Sequence, residues 1–193
     1  MKPISTLSGK RLVSDLILIG LSLAKIIALK LCEYIRKENS MFQYKTIIPC
    51  NLYGKYDNFD LNNSHLIPAI IMKIYNAKEM NLKHIDIWGD GKARREFMYA
   101  EDFADFIVKA IRKFEKLPNM INVGLGYDFS IDEYYKFTAK VIGYRGSFHY
   151  DKLKPIGMRQ KLVNISKLNN FGWKFSTKIE DGINKTYKYY DII

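Results

Sequence analysis

Apolar side chains recur every four residues at Leu23, Ile27, Leu31 and Ile35, which predicts a helix over 22–39. The pattern then changes period. Lys45 to Leu52 is a short β-rich run closed by Tyr53-Gly54, a buried strand whose carboxyl end carries polar residues. Residues 54–64 are polar and turn-rich, hence a loop. Residues 67–77 return to helical spacing, with Pro68 in the first turn, where its missing N–H leaves no bond unmade.

Alternation from His84 to Trp88 stops at Gly89-Asp90-Gly91, a strand followed by a turn. Residues 96–99 form another short strand. A helix over 100–116 puts Phe103, Ile107, Ala110 and Ile111 on one face, and a strand over 120–123 ends at Gly124. Ser130 with Glu133 three residues on has the spacing of a capping box and opens a helix to Ile142. Strands are expected at 147–150 and 161–165, and helices at 166–171 and 179–190, the last led by Thr177. Strands alternating with helices place the chain in the α/β class.

The chain has 193 residues, enough for one good-sized core without staples, and is 48% hydrophobic and 14% aromatic, which argues against disorder. Cys32 and Cys50 are too few, and too far from any pair of histidines, for a zinc site or a disulfide framework, so no metal is expected and a reducing cytoplasm is consistent. The net charge of +11 favours an anionic partner, although the lysines are scattered and form no block. Near the N-terminus, Lys10-Arg11 precedes an apolar run from Leu16 to Ala24. Asp15, Lys25 and Lys30 interrupt it, and no small-x-small cleavage site follows, so neither a signal peptide nor a spanning helix is expected.

The polar landmarks fall in a fixed order. Asn51-Leu-Tyr-Gly54 leads to Asp57-Asn-Phe-Asp60, then Asn63-Ser-His65 and Ile67-Pro68. Trp88-Gly-Asp-Gly91 and Arg94-Arg-Glu-Phe97 follow. Upstream of them lies no Gly-x-x-Gly-x-x-Gly turn of the kind that opens a dinucleotide-binding fold.

This order of motifs resembles the GDP-L-fucose synthase family of extended short-chain dehydrogenase/reductases, over about Leu23 to Tyr190. The resemblance implies the C-terminal portion of that fold: a partial Rossmann sheet plus a small substrate-binding domain. It would be one incomplete NAD(P)-dependent epimerase/dehydratase domain over 1–193, with a divergent segment at 1–20 and the dinucleotide-binding half absent. The family epimerises GDP-4-keto-6-deoxymannose at C3 and C5 and reduces C4 with NADPH. Epimerisation beside a ketone needs a base and an acid on opposite faces of the carbon, and histidine titrates near neutrality. The resemblance makes His65 that group, beside the cofactor, and Lys25 the lysine that holds the nicotinamide ribose. The strand end Pro49, Cys50, Asn51 and Leu52 corresponds to backbone that touches the nicotinamide. Lys73, Trp88 and Arg95 correspond to the substrate side, where Arg95 suits a diphosphate and an indole gives a flat wall. Each has a plainer reading: a helix-capping histidine, a strand terminus, a core tryptophan, solvated cations.

Several positions depart from the family. Leu21 stands where the proton-donating tyrosine belongs, four residues before Lys25. Ile156 replaces an aspartate in Lys154-Pro-Ile-Gly157, and Gln160 an arginine. The expectation is therefore a chain that is inactive alone and binds a GDP-sugar, with a homodimer partner or a complementing N-terminal half. The other readings are a non-catalytic GDP-sugar binder or subunit partner, and a basic nucleic-acid binder. No recognised motif supports the last, so neither nucleic acid nor membrane is expected as partner.

Overall fold

The computed structural model describes residues 9–60, 63–154 and 156–192, with the side chains of 9–19, 21 and 22 excepted. The side chain of Leu21 and the whole of Pro155 thus lie outside the described residues. Two compact units divide the chain, Met1–Thr46 and Ile47–Ile193.

The N-terminal unit is built on α1, Gly9–Glu38, which starts well before the predicted residue 22. Leu23, Ile27 and Leu31 follow one another along it and stay about half exposed. Lys25 is an exposed residue of the same helix. From the last turn of the helix, Arg36 donates to the Tyr44 carbonyl at 2.6 Å. Among the described residues, no helix is long and apolar enough to cross a membrane.

The second unit carries the α/β architecture. The strand predicted over 45–52 is two short ones, β1 (Thr46–Pro49) and β2 (Asn51–Tyr53), because the chain changes neighbours at Cys50. β1 pairs with β6 (Met120–Val123), whereas β2 runs parallel to β5 (Phe97–Tyr99), with Asn51 opposite Phe97. β3 (His84–Trp88) runs parallel to β8 (Ser147–Asp151), so Trp88 ends its strand opposite Asp151. A third group pairs β4 (Arg94–Arg95) antiparallel with β7 (Phe129–Ser130) and parallel with β9 (Gln160–Lys161). The strand expected at 161–165 is only β9, because the Val163 amide is taken by a side chain, Glu96, instead of by a strand.

Helices cover these strands. α2 (Leu66–Glu79), α4 (Ile131–Ile142) and α6 (Ile179–Tyr190) pack around a core that includes Ile67, Ile70, Ile71, Ile74, Ile87, Tyr134 and Ile183, all fully buried. α3 (Ala100–Arg112) and α5 (Ser166–Phe171) close a second core around Met98, Phe106, Ile121, Val123 and Trp173. The residues expected to extend α3 to 116 form a separate 3-10 turn, Phe114–Lys116. Capping follows sequence at α4: the Ser130 hydroxyl accepts from the Glu133 amide, and the Glu133 carboxylate accepts from the Ser130 amide at 2.7 Å. It does not at α6, whose N-cap is Lys178, because the Thr177 amide is captured by the buried carboxylate of Asp102, which also holds Ser176.

Candidate functional site

Three strand ends and two helix starts converge on a cleft of about 750 Å³. β2 contributes Asn51 and Leu52, β3 contributes Ile87 and Trp88, and β4 contributes Arg95. The start of α2 contributes Ser64, His65 and Leu66, followed along one helix face by Ala69 and Lys73. Ile131 and Tyr135 of α4 and Ile156 of the turn before β9 complete the wall. Lys73, Arg95 and His65 line the cleft, and among the described residues no carboxylate does. A cleft with cations, a histidine, an indole and aliphatic walls matches an anionic ligand with flat or apolar parts.

His65 is the N-cap residue of α2, in extended backbone conformation, and its carbonyl accepts from the Ala69 amide at 3.0 Å. Its imidazole makes no capping bond and is exposed in the cleft, which removes the helix-capping reading. Lys73 donates to the Asp86 carbonyl, and burial moves its ammonium below the ordinary lysine value, partly opposed by the Asp86 charge. Trp88 is 66% exposed, so it is not a core tryptophan; the Lys154 ammonium sits 5.4 Å from its ring centre. Trp173 fills the core role instead, with its indole donating to Asp105 at 2.8 Å.

The two adjacent arginines divide. Arg94 is committed to the protein: its Nε donates to Asp128 at 2.6 Å, and Glu133 lies 3.6 Å from its Nη1. Arg95 faces the cleft, with its Nη1 donating to the Arg94 carbonyl at 2.7 Å. Burial alone would raise the Asp128 carboxyl, but the hydrogen bonds from Gln160 and Arg94 outweigh it and hold the group below the usual aspartate range. A depressed folded value stabilises the protein above the unfolded pKa of about 3.9, and this contribution is lost as pH falls through the lower folded value. Asp128→Asn should therefore be less stable than the parent at pH 7, with the gap closing below about pH 4. Thermal melts of both proteins across pH 2.5–7 check this, and a gap that widens in acid would refute it.

The strand end is held by protein, not left open. The Asn51 amide donates to the Glu96 carbonyl at 2.8 Å, and its oxygen accepts from Lys161 at 3.2 Å. Cys50 is buried, its amide bonded to the Val123 carbonyl, and burial pushes its thiol up to about 12, far from a thiolate nucleophile. Pro49 is exposed at the end of β1, and Leu52 packs against the second core while lining the cleft. Asn51, Leu52, His65, Lys73, Trp88 and Arg95 therefore meet in one place. Pro49 and Cys50 adjoin it, and Lys25 belongs to the other unit.

Two groups went unread in the sequence. Glu96 is 1% exposed and its carboxylate accepts from three amides, Leu125 at 2.5 Å, Gly126 at 2.9 Å and Val163 at 3.0 Å. It thereby ties the loop after β6 and the segment after β9 to the strand that carries Arg95. Tyr135 is the other, a buried ring in the cleft wall whose hydroxyl burial pushes up to about 12.

Residues 21–124 match the NAD dependent epimerase/dehydratase family. Two relatives are GDP-L-colitose synthase of Yersinia pseudotuberculosis, 60% identical over 171 residues, and GDP-L-fucose synthase of Azorhizobium caulinodans, 52% identical over 171 residues. These alignments cover 89% of this chain in both cases, but 56% and 54% of the relatives. The chain thus spans about half the length of the curated relatives it matches. Among solved structures, the GDP-mannoheptose C4 reductase from Campylobacter jejuni with NADP bound superposes with a TM-score of 0.77 at 28% identity, over 88% of this chain and 59% of that one. The α/β class and the likeness to the C-terminal part of an extended short-chain reductase are in agreement with these matches.

Proposed function

This chain belongs to the NAD dependent epimerase/dehydratase family, and from that premise we propose that its cleft is the sugar-nucleotide side of a GDP-deoxysugar epimerase-reductase. The observation that carries the reading is the lining of the cleft: Lys73, Arg95 and His65 with an exposed indole and, among the described residues, no carboxylate. Arg95 and Lys73 hold the diphosphate, Trp88 covers a flat or apolar part of the ligand, and His65 moves the proton at the carbon beside the keto group. The substrate by this reading is a GDP-4-keto-6-deoxymannose or a close relative, epimerised at C3 and C5 and reduced at C4.

NADPH would supply the hydride when bound, and the fit of the described residues to it is partial. In the second unit, the backbone at Cys50 to Leu52 and the ring of His65 are the proposed contacts of the nicotinamide end. The Asn51 side chain already holds a protein partner at each end, the Glu96 carbonyl and the Lys161 ammonium. The sequence contains no glycine-rich turn to receive a pyrophosphate on a helix N-terminus. Binding of the GDP-sugar is therefore the part of the function assigned to these 193 residues, and turnover is assigned to an assembly that includes a dinucleotide-binding segment. That segment or a second copy of the chain is the proposed protein partner.

Calorimetric titration with GDP tests the reading. Arg95→Ala should weaken binding by about 1.5–3 kcal/mol, the range for a hydrogen bond to a charged group. Equal affinity of parent and variant would remove Arg95 from the site. ADP should bind less well than GDP. A steep fall in nucleic-acid affinity with salt, without selective GDP binding, would favour a basic nucleic-acid binder instead.

A further inference from the structure

We propose, on the footing that the cleft takes a GDP-sugar, that the Ser64 hydroxyl positions the sugar and takes from it the hydrogen bond that it lacks in the free protein. Ser64 stands in the cleft wall beside His65. Its Oγ is buried and has no hydrogen-bond partner, the one such side-chain atom among the described residues. A buried hydroxyl without a partner destabilises the protein that carries it, so it is normally satisfied.

The surroundings exclude a capping role. The Ser64 amide donates to the Asp60 carbonyl at 2.8 Å, and the Asn63 amide group donates to the Asp60 carboxylate at 3.1 Å, so the backbone before α2 is pinned. The N-cap of α2 is the next residue, His65, and no side chain caps the helix. Ser130 before α4 is the useful contrast. Its hydroxyl both accepts from the Glu133 amide and donates to the Glu133 carboxylate at 2.8 Å. One serine at a helix start is spent on the helix, and the other is left over in the cleft. Rotation of Ser64 about χ1 to another staggered well moves Oγ with no change in the backbone.

Sugar, not phosphate, is the partner that fits. Lys73 lies more than two turns along α2, and Arg95 stands on β4; these are the charges a diphosphate requires. Ser64 adjoins the histidine that must reach the sugar ring. A neutral hydroxyl, both donor and acceptor, pairs with a sugar hydroxyl or keto oxygen.

GDP and GDP-L-fucose, titrated calorimetrically against the parent and Ser64→Ala, separate the outcomes. The expected result is about tenfold weaker binding of GDP-L-fucose by Ser64→Ala, with GDP binding unchanged. The variant should also melt about 2–4 °C higher, because an unsatisfied buried hydroxyl is gone. Equal affinities of parent and variant for GDP-L-fucose would overturn the role of Ser64 and leave the cleft reading intact. Loss of affinity for GDP as well would also overturn it, since the hydroxyl would then act on the phosphates or on the cleft as a whole. If the parent binds neither compound, the cleft reading itself falls, and the role of Ser64 with it.

Discussion

Glu96→Ala is expected to lower stability by about 3–5 kcal/mol, because it strips a buried carboxylate from the three backbone amides that donate to it. The carboxylate binds three amides from two separate stretches of chain, so the loss loosens the loop after β6 and the segment after β9 together. Gly124 shows how closely the chain closes on this group: a Cβ there would collide with the Glu96 carboxylate and with Val163. Glu96→Gln keeps the volume but turns an N–H₂ donor toward amide donors, so it should lose most of the same stability. Urea melts should show a lower midpoint with an unchanged slope if the fold is otherwise retained. A change below 1 kcal/mol for both variants would refute the bracing role. Because the neighbours of Glu96 are Arg95 and Phe97, both in the cleft wall, GDP affinity should fall in Glu96→Gln even at temperatures where it remains folded.

The partners of Glu96 explain why sequence did not disclose it. They lie 29, 30 and 67 residues away, and an Arg-Arg-Glu-Phe segment carries no sign that its acid turns inward. The same holds for Asp102, whose capture of the Ser176 and Thr177 amides moves the start of α6 from the place a threonine cap would give it. What sequence does disclose is local. Helical pattern found α2 and α3, and strict alternation found β3 from end to end. The capping box at Ser130 needed only a spacing of three. Two-residue strands such as β4 and β7 have no period to read, since they exist only because a neighbour pairs with them.

The cleft was legible to the extent that its residues sit at element ends. Asn51 stands near the end of a β-rich run, His65 precedes a proline-marked helix, and Trp88 ends an alternating strand, but it was the resemblance to the family's motifs that singled these residues out, since each boundary alone has a plainer reading. That the side chains converge is information of topology: β2 beside β5 and the start of α2 facing the ends of β3 and β4 bring residues 51, 65, 88 and 95 to one wall. The vacancy at Ser64 could not be read at all. A serine beside a helix start has the appearance of a cap, and only the geometry shows that Oγ is left without a partner.

The largest effect on chemistry is expected at His65. Its ring is exposed and uncapped, so His65→Ala should change stability by no more than about 0.5 kcal/mol, as surface substitutions generally do. Its effect on proton transfer should be far greater, about 10²–10⁴-fold, the range for a positioned general acid or base. The measurement requires a dinucleotide-binding segment, for example the N-terminal part of a GDP-L-fucose synthase expressed separately and mixed with this chain. In such a mixture, solvent deuterium should enter the keto sugar through the parent chain and not through His65→Ala. GDP affinity should stay the same, because the phosphate contacts are assigned to Arg95 and Lys73. His65→Gln is the more searching variant: it keeps a hydrogen-bonding side chain of similar reach but cannot shuttle a proton at neutral pH, so it should behave like alanine in exchange. Following NADPH consumption in the same mixtures separates the two steps, since exchange precedes hydride transfer in the proposed order. Deuterium entry at the parent rate in both variants would take His65 out of the chemistry, and turnover by this chain with no added segment would refute the division of labour between binding and catalysis.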